Sequence, residues 1–90
     1  MILVKLKVFP PFTNGPQTIE KTLYLEDNAK IENLLALASE QGILKAGSVL
    51  KGNSVKEGVV ILVNGRTVFD LKYPLNNGDK VAIMPLVPGG

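Results

Sequence analysis

The residues with the clearest chemical use are the last four, Val87-Pro88-Gly89-Gly90. Glycine has no side chain, so a Gly-Gly terminus is the thinnest peptide end available. It can thread a narrow channel and bring the Gly90 carboxylate to another protein's active site. Pro88 and Pro85 hold the approach to that end towards extended backbone. The segment before it, Lys80-Val81-Ala82-Ile83-Met84-Pro85, reads as a buried strand that stops at a proline. A tail that leaves the core directly is held at its root, which presents the carboxylate at a defined place.

What the chain lacks narrows the remaining chemistry. It has no cysteine and no histidine, which excludes disulfides, thiolate metal sites, a cysteine nucleophile and the commonest general base. No metal site and no bound cofactor are expected. Net charge is +2 with no long block of like charge, so neither nucleic acid nor a membrane is an expected partner. The apolar start Met1-Ile2-Leu3-Val4 is cut by Lys5 and Lys7, unlike a signal peptide. No apolar run approaches the roughly 20 residues that span a bilayer. The expectation is a soluble, cytoplasmic protein, monomeric when free and not an enzyme in its own right.

The elements that must position the tail follow from hydrophobic spacing. Val4, Leu6 and Val8 alternate with Lys5 and Lys7, a strand with one wet face. Phe9 ends it and Pro10-Pro11 blocks further ladder pairing. Phe12-Thr13-Asn14-Gly15-Pro16 reads as a short turn into a second strand carrying Ile19, Leu23 and Leu25. Lys21 interrupts the buried set there, which predicts an edge strand or a bulge. Ile31, Leu34, Leu35 and Ala38 fall at i, i+3, i+4 and i+7, the apolar stripe of a three-turn helix. Asn28 and Lys30 are both candidate starts, and Gly42 is a suitable stop.

Residues 43–58 allow either a short second helical turn or an ordered loop. Val59-Val60-Ile61-Leu62-Val63 reads as a strand covered on both faces or deep in the sheet. Asn64-Gly65 then predicts a two-residue hairpin returning through Arg66-Thr67-Val68. Leu75 plugs the core from the next loop, and Asn76-Asn77-Gly78-Asp79 turns into the last strand. Strand, strand, helix, strand, short strand, strand, with a right-handed crossover, places the first and last strands parallel at the sheet centre. That is an α+β, ubiquitin-like β-grasp of four to five strands with one main helix. The domain spans residues 1–84 and the tail residues 85–90.

Val63-Asn64-Gly65-Arg66, Pro74-Leu75, Gly78-Asp79, Val81, Ile83, Pro85, Val87 and Gly89-Gly90 together resemble the MoaD/ThiS family of ubiquitin-like sulfur carriers. The ending is more similar to the MoaD branch, the small subunit of molybdopterin synthase. It departs from that branch in having Met84 where an aromatic is common, Leu86 where a second proline is common, and Lys30 where threonine is common. The resemblance implies that a ubiquitin-activating-type enzyme consumes ATP to adenylate the Gly90 carboxylate. A sulfur donor then converts it to a thiocarboxylate for a MoaE-like synthase large subunit or another sulfur acceptor. Gly89, Pro88 and Val87 would lie in the activating enzyme's channel.

Near the tail root, Met84, Leu86 and Phe9 form a candidate apolar docking patch, the alternative being ordinary core or strand-end residues. Arg66 reads as a solvated hairpin residue. Three other functions fit the same chain: a carrier for thiamine thiazole or another sulfurated metabolite, a modifier joined to lysines as ubiquitin is, and a noncovalent module with an incidental Gly-Gly.

Overall fold

A computed structural model describes residues 1–87. The candidate residues Pro88, Gly89 and Gly90 lie outside the described residues. Strands β1 (Ile2–Val8), β2 (Ile19–Leu25), β5 (Val59–Val63), β6 (Arg66–Thr67) and β7 (Asp79–Pro85) form one sheet in the order β2-β1-β7-β5-β6. β1 and β7 run parallel at its interior, and every other pairing is antiparallel. Helix α1 (Ile31–Glu40) supplies Ile31, Leu34, Leu35 and Ala38 to the core. They join Val4, Leu6, Val8, Leu23, Val59, Ile61, Val63, Val81 and Ile83 from the strands in one apolar cluster. The expected β-grasp is therefore present. Of Val4, Leu6, Ile19, Leu23, Leu34, Leu35, Ile61, Val63, Leu75, Val81 and Ile83, expected to form one core, only Ile19 is partly exposed, packed against the cluster's rim.

The two ends of α1 are built differently. Its C-terminus is closed by Gly42 at φ +75°, with Gly42 N–H donating to Ser39 and Ile43 N–H to Ala38. These are the two bonds of a Schellman motif, which needs the left-handed backbone that glycine adopts freely. At the N-terminus the cap residue is Lys30, with no side-chain cap. The orphan amides of Ile31 and Glu32 instead donate to the carbonyls of Tyr73 and Leu71, each at 3.0 Å. A distant loop thus does what a Ser or Asp would otherwise do, which settles the start that the sequence left open between Asn28 and Lys30.

Four readings need correction or refinement. The β1–β2 connection is not a short turn: ten residues separate Val8 from Ile19, because Phe12 and Thr13 are buried rather than solvated. Phe12 O accepts from Lys45 N–H at 2.8 Å, and the Thr13 hydroxyl reaches the Gly15 and Gln17 carbonyls. The connector is therefore part of the core wall. Between residues 43 and 58 the chain forms a helical turn, α2 (Ala46–Val49), and a two-stranded ladder, β3 (Leu50–Lys51) with β4 (Ser54–Val55). β5 lies inside the sheet between β7 and β6, the second of the two expected alternatives, and is covered on one face only. Val59, Ile61 and Val63 are buried, while Val60 and Leu62 are half-buried, since among the described residues no second layer covers the outer face. Finally, β2 is an edge strand with continuous register, so Lys21 marks an edge and no bulge.

Candidate functional site

β7 carries the tail, and its two ends are fixed by separate sets of bonds. At the start, the buried Asp79 carboxylate accepts from Asn64 Nδ2 at 2.9 Å and from Asn76 N–H at 2.7 Å. Asn64 Oδ1 in turn accepts from Lys80 N–H at 2.9 Å. The Asn64-Gly65 hairpin has both residues at positive φ, +52° and +85°, as a two-residue turn of this type requires. Gly78 N–H donates to Leu3 O, and Leu3 N–H to Asn77 Oδ1. The two turns that read as independent in the sequence are thus one node. Asp79 links them, a role its place in an ordinary Gly-Asp turn did not reveal.

At the other end, β7 stays paired until it leaves the sheet. Val60 pairs with Met84, Val59 with Pro85, and Leu86 N–H donates to Gly58 O at 2.8 Å. Strand donors alternate sides, so the amide of residue 85 faces β1. Proline has no donor there, and Phe9 O instead accepts from Phe12 N–H at 3.0 Å. Phe9 N–H donates to Ile83 O at 2.9 Å, the last rung on that side. Pro85 therefore ends the β1 pairing without leaving a buried amide unmet, while Leu86 keeps the β5 pairing for one more residue. The strand runs one residue beyond the expected domain edge at Met84.

The candidate docking residues lie at this end. Phe9 and Met84 are half-buried, and Leu86 and Val87 are 63% and 77% exposed. The Lys7 ammonium sits 5.2 Å from the centre of the Phe9 ring, within cation–π range. Met84 shares the outer sheet face with Ala82 and Val60 by strand alternation and register. The structure thus brings Phe9, Met84 and Leu86 to one end of the sheet. Arg66 is exposed at the far hairpin. Among the described residues no three acidic side chains converge as a metal site would need. No helix there is long and apolar enough to cross a membrane.

Residues 6–90 match the family model described as the ThiS family. The chain belongs to the ThiS family. No curated protein sequence is significantly similar to it. Among solved structures, the Haloferax volcanii HVO 2177 protein is 29% identical, with a TM-score of 0.70 over 99% of this chain and 87% of that one. A Pyrococcus furiosus protein provisionally described as molybdopterin converting factor subunit 1 is 26% identical. Its TM-score is 0.72, over 97% of this chain and all of its own. A chain in the Helicobacter pylori complex of molybdopterin-converting factor subunits 1 and 2 is 21% identical, with a TM-score of 0.57 over 99% and 100%. That last likeness is one of fold. Together they make the ubiquitin-like β-grasp and the MoaD/ThiS relationship firm.

Proposed function

We propose that this protein is a sulfur carrier whose reacting group is the Gly90 carboxylate. A ubiquitin-activating-type enzyme joins that carboxylate to AMP from ATP and releases pyrophosphate. A sulfur nucleophile then displaces AMP, and the terminal C–O bond is replaced by C–S. Making an acyl adenylate first divides one difficult substitution into two easier ones. In this reading the chain contributes only the Gly90 carboxylate, on the segment that follows β7. The observation that carries this reading is the family match, which runs to residue 90 and so includes the Gly-Gly end.

Delivery to a synthase large subunit for molybdopterin-type cofactor synthesis is the favoured destination. It is supported by the likeness to the Pyrococcus furiosus protein and by the two-subunit complex that contains a chain of this fold. In this reading Phe9, Met84 and Leu86 meet the partner, Val87, Pro88 and Gly89 lie in the activating enzyme's channel, and the cytoplasm supplies ATP.

The test is intact-protein mass spectrometry after incubation with ATP, a sulfide donor and the adenylating enzyme. The expected product carries sulfur in place of oxygen, confined to the C-terminal peptide. One residue added after Gly90 moves the carboxylate past the reacting position and abolishes the product. Gly89→Val does the same, because a β-branched side chain needs room in the channel. Both variants melt like the parent. Sulfuration of the extended protein, or sulfur elsewhere in the chain, overturns the carrier mechanism. Reductant-resistant lysine conjugates in cells would point to a modifier instead.

A further inference from the structure

The outer face of the sheet carries a shallow depression of about 540 Å³ beyond the apolar tail root. By strand alternation and register, Lys5, Lys7 and Lys80 stand on this face with a single lining acid, Glu20; Lys21, opposite the buried Leu6, borders the depression only at the β2 edge. The whole chain has ten cations and eight acids. Three lysines against one glutamate here leave seven cations and seven acids for all the rest. The modest net charge therefore hides a separation: the positive excess sits on this one face.

Lys5 and Lys80 make the arrangement harder to explain by folding alone. They are register partners on the parallel pair β1 and β7, on strands about 4.8 Å apart. Like charges placed side by side in a sheet are unfavourable. Among the described residues neither lysine has an acidic partner within 4.0 Å; Lys7 has only a long contact with Glu20, at 3.9 Å. Lysines are common guards of sheet edges, but β1 and β7 are both interior strands of this sheet, whose edges are β2 and β6. Edge protection does not account for the pair.

We infer that the Lys5–Lys80 face is the electrostatic half of the partner interface, and that the adenylating enzyme lays a cluster of carboxylates across it. This rests on the carrier reading. The reach is right: Lys80 precedes Pro85 by five residues, or about 17 Å of strand at roughly 3.3 Å per residue. A standard interface of about 800 Å² per partner has a radius near 16 Å. Such a footprint is about 32 Å across, wide enough to hold Pro85 towards one edge and Lys5 and Lys80 within the rest. Division of labour follows. Met84, Leu86 and Phe9 supply the desolvated contact that sets residence time, while the lysines steer encounter and fix orientation.

The test is stopped-flow association with the adenylating enzyme encoded in the same genome, over a range of ionic strength. Lys5→Glu/Lys80→Glu lowers the association rate at low salt by about tenfold or more and flattens its salt dependence. Lys51→Glu/Lys56→Glu makes the same change in net charge away from the depression and alters the rate by less than about threefold. Lys5→Glu alone sets opposite charges across the pair, so its melting temperature does not fall. Parent-like association of the double reversal, or equal slowing by the control pair, overturns the inference. Adenylate formation on the parent separates the two proposals. Its absence removes the carrier reading and this inference with it; adenylation of the reversed variant at the parent's association rate removes this inference alone.

Discussion

The two faces of the sheet are made by the same strands, residue by alternate residue, yet they obey different rules. On the face under α1, β1 presents Val4, Leu6 and Val8, all essentially inaccessible to water. On the other, the same strand presents Lys5 and Lys7, both exposed. β7 repeats the pattern, with Val81 and Ile83 buried and Lys80 exposed, but its outer residues become apolar towards the tail, through Ala82 to Met84. The covered face answers to packing and is apolar along both strands, except where β7 begins at the hydrogen-bonded Asp79. The open face changes character along its length, cationic near Asp79 and apolar near Pro85. A gradient of that kind does nothing for the fold. It is what a surface needs when one partner must both find it and hold it.

The largest effect should come from the covered face. Leu35 is 1% exposed between helix and sheet, so Leu35→Ala should cost about 2–5 kcal/mol in denaturant melts, the range for truncating a buried leucine. A cost near zero would mean that α1 does not press on the sheet there, and the contrast between faces would collapse.

The covered face was also the more legible in the sequence. Alternation in β1 and β7 and the i, i+3, i+4, i+7 stripe of α1 are periodic signals, and nearly every residue they nominated is buried. What escaped was non-periodic. Phe12 and Thr13 sit in a stretch rich in turn residues, where one aromatic was the only hint of a core role. The Lys30 start of α1 depends on the Leu71 and Tyr73 carbonyls, which lie about forty residues away and have no local signature. At the site, the strand root, Pro85 and the apolar trio were readable because they are consecutive or adjacent to a strand end. The Lys5–Lys80 pair was not, because it exists only through the β1–β7 register.

An intermediate effect tests the node at the start of β7. Asp79→Ala leaves the Asn64 side-chain amide and the Asn76 N–H without their acceptor. In a site 8% exposed, that should cost about 1–3 kcal/mol. The tail end of the strand is held by other bonds, so activation of Gly90, measured by thiocarboxylate formation well below the melting temperature, should stay near the parent's. Loss of activation in a variant that is still folded would show that the two ends of β7 are mechanically coupled, and the open face would then be one unit rather than a graded surface.

The smallest effect on stability, and the sharpest on the comparison, belongs to Leu86. It is 63% exposed and joins the sheet through its backbone N–H to Gly58 O, a bond that any residue except proline can make. Leu86→Asp should therefore shift stability by no more than about 0.5 kcal/mol, as surface substitutions usually do. In the complex, however, the same carboxylate would be buried without a partner, and affinity for the adenylating enzyme should fall sharply. Met84 is half-buried beside Val60, so Met84→Asp should lose both some stability and binding. The ordering is the informative part. Measured by titration of the enzyme and by denaturant melts, Leu86→Asp should separate binding from folding more cleanly than Met84→Asp. Equal loss of stability in the two would place Leu86 in the core's account and leave Phe9 and Met84 alone as the apolar contact at the tail root.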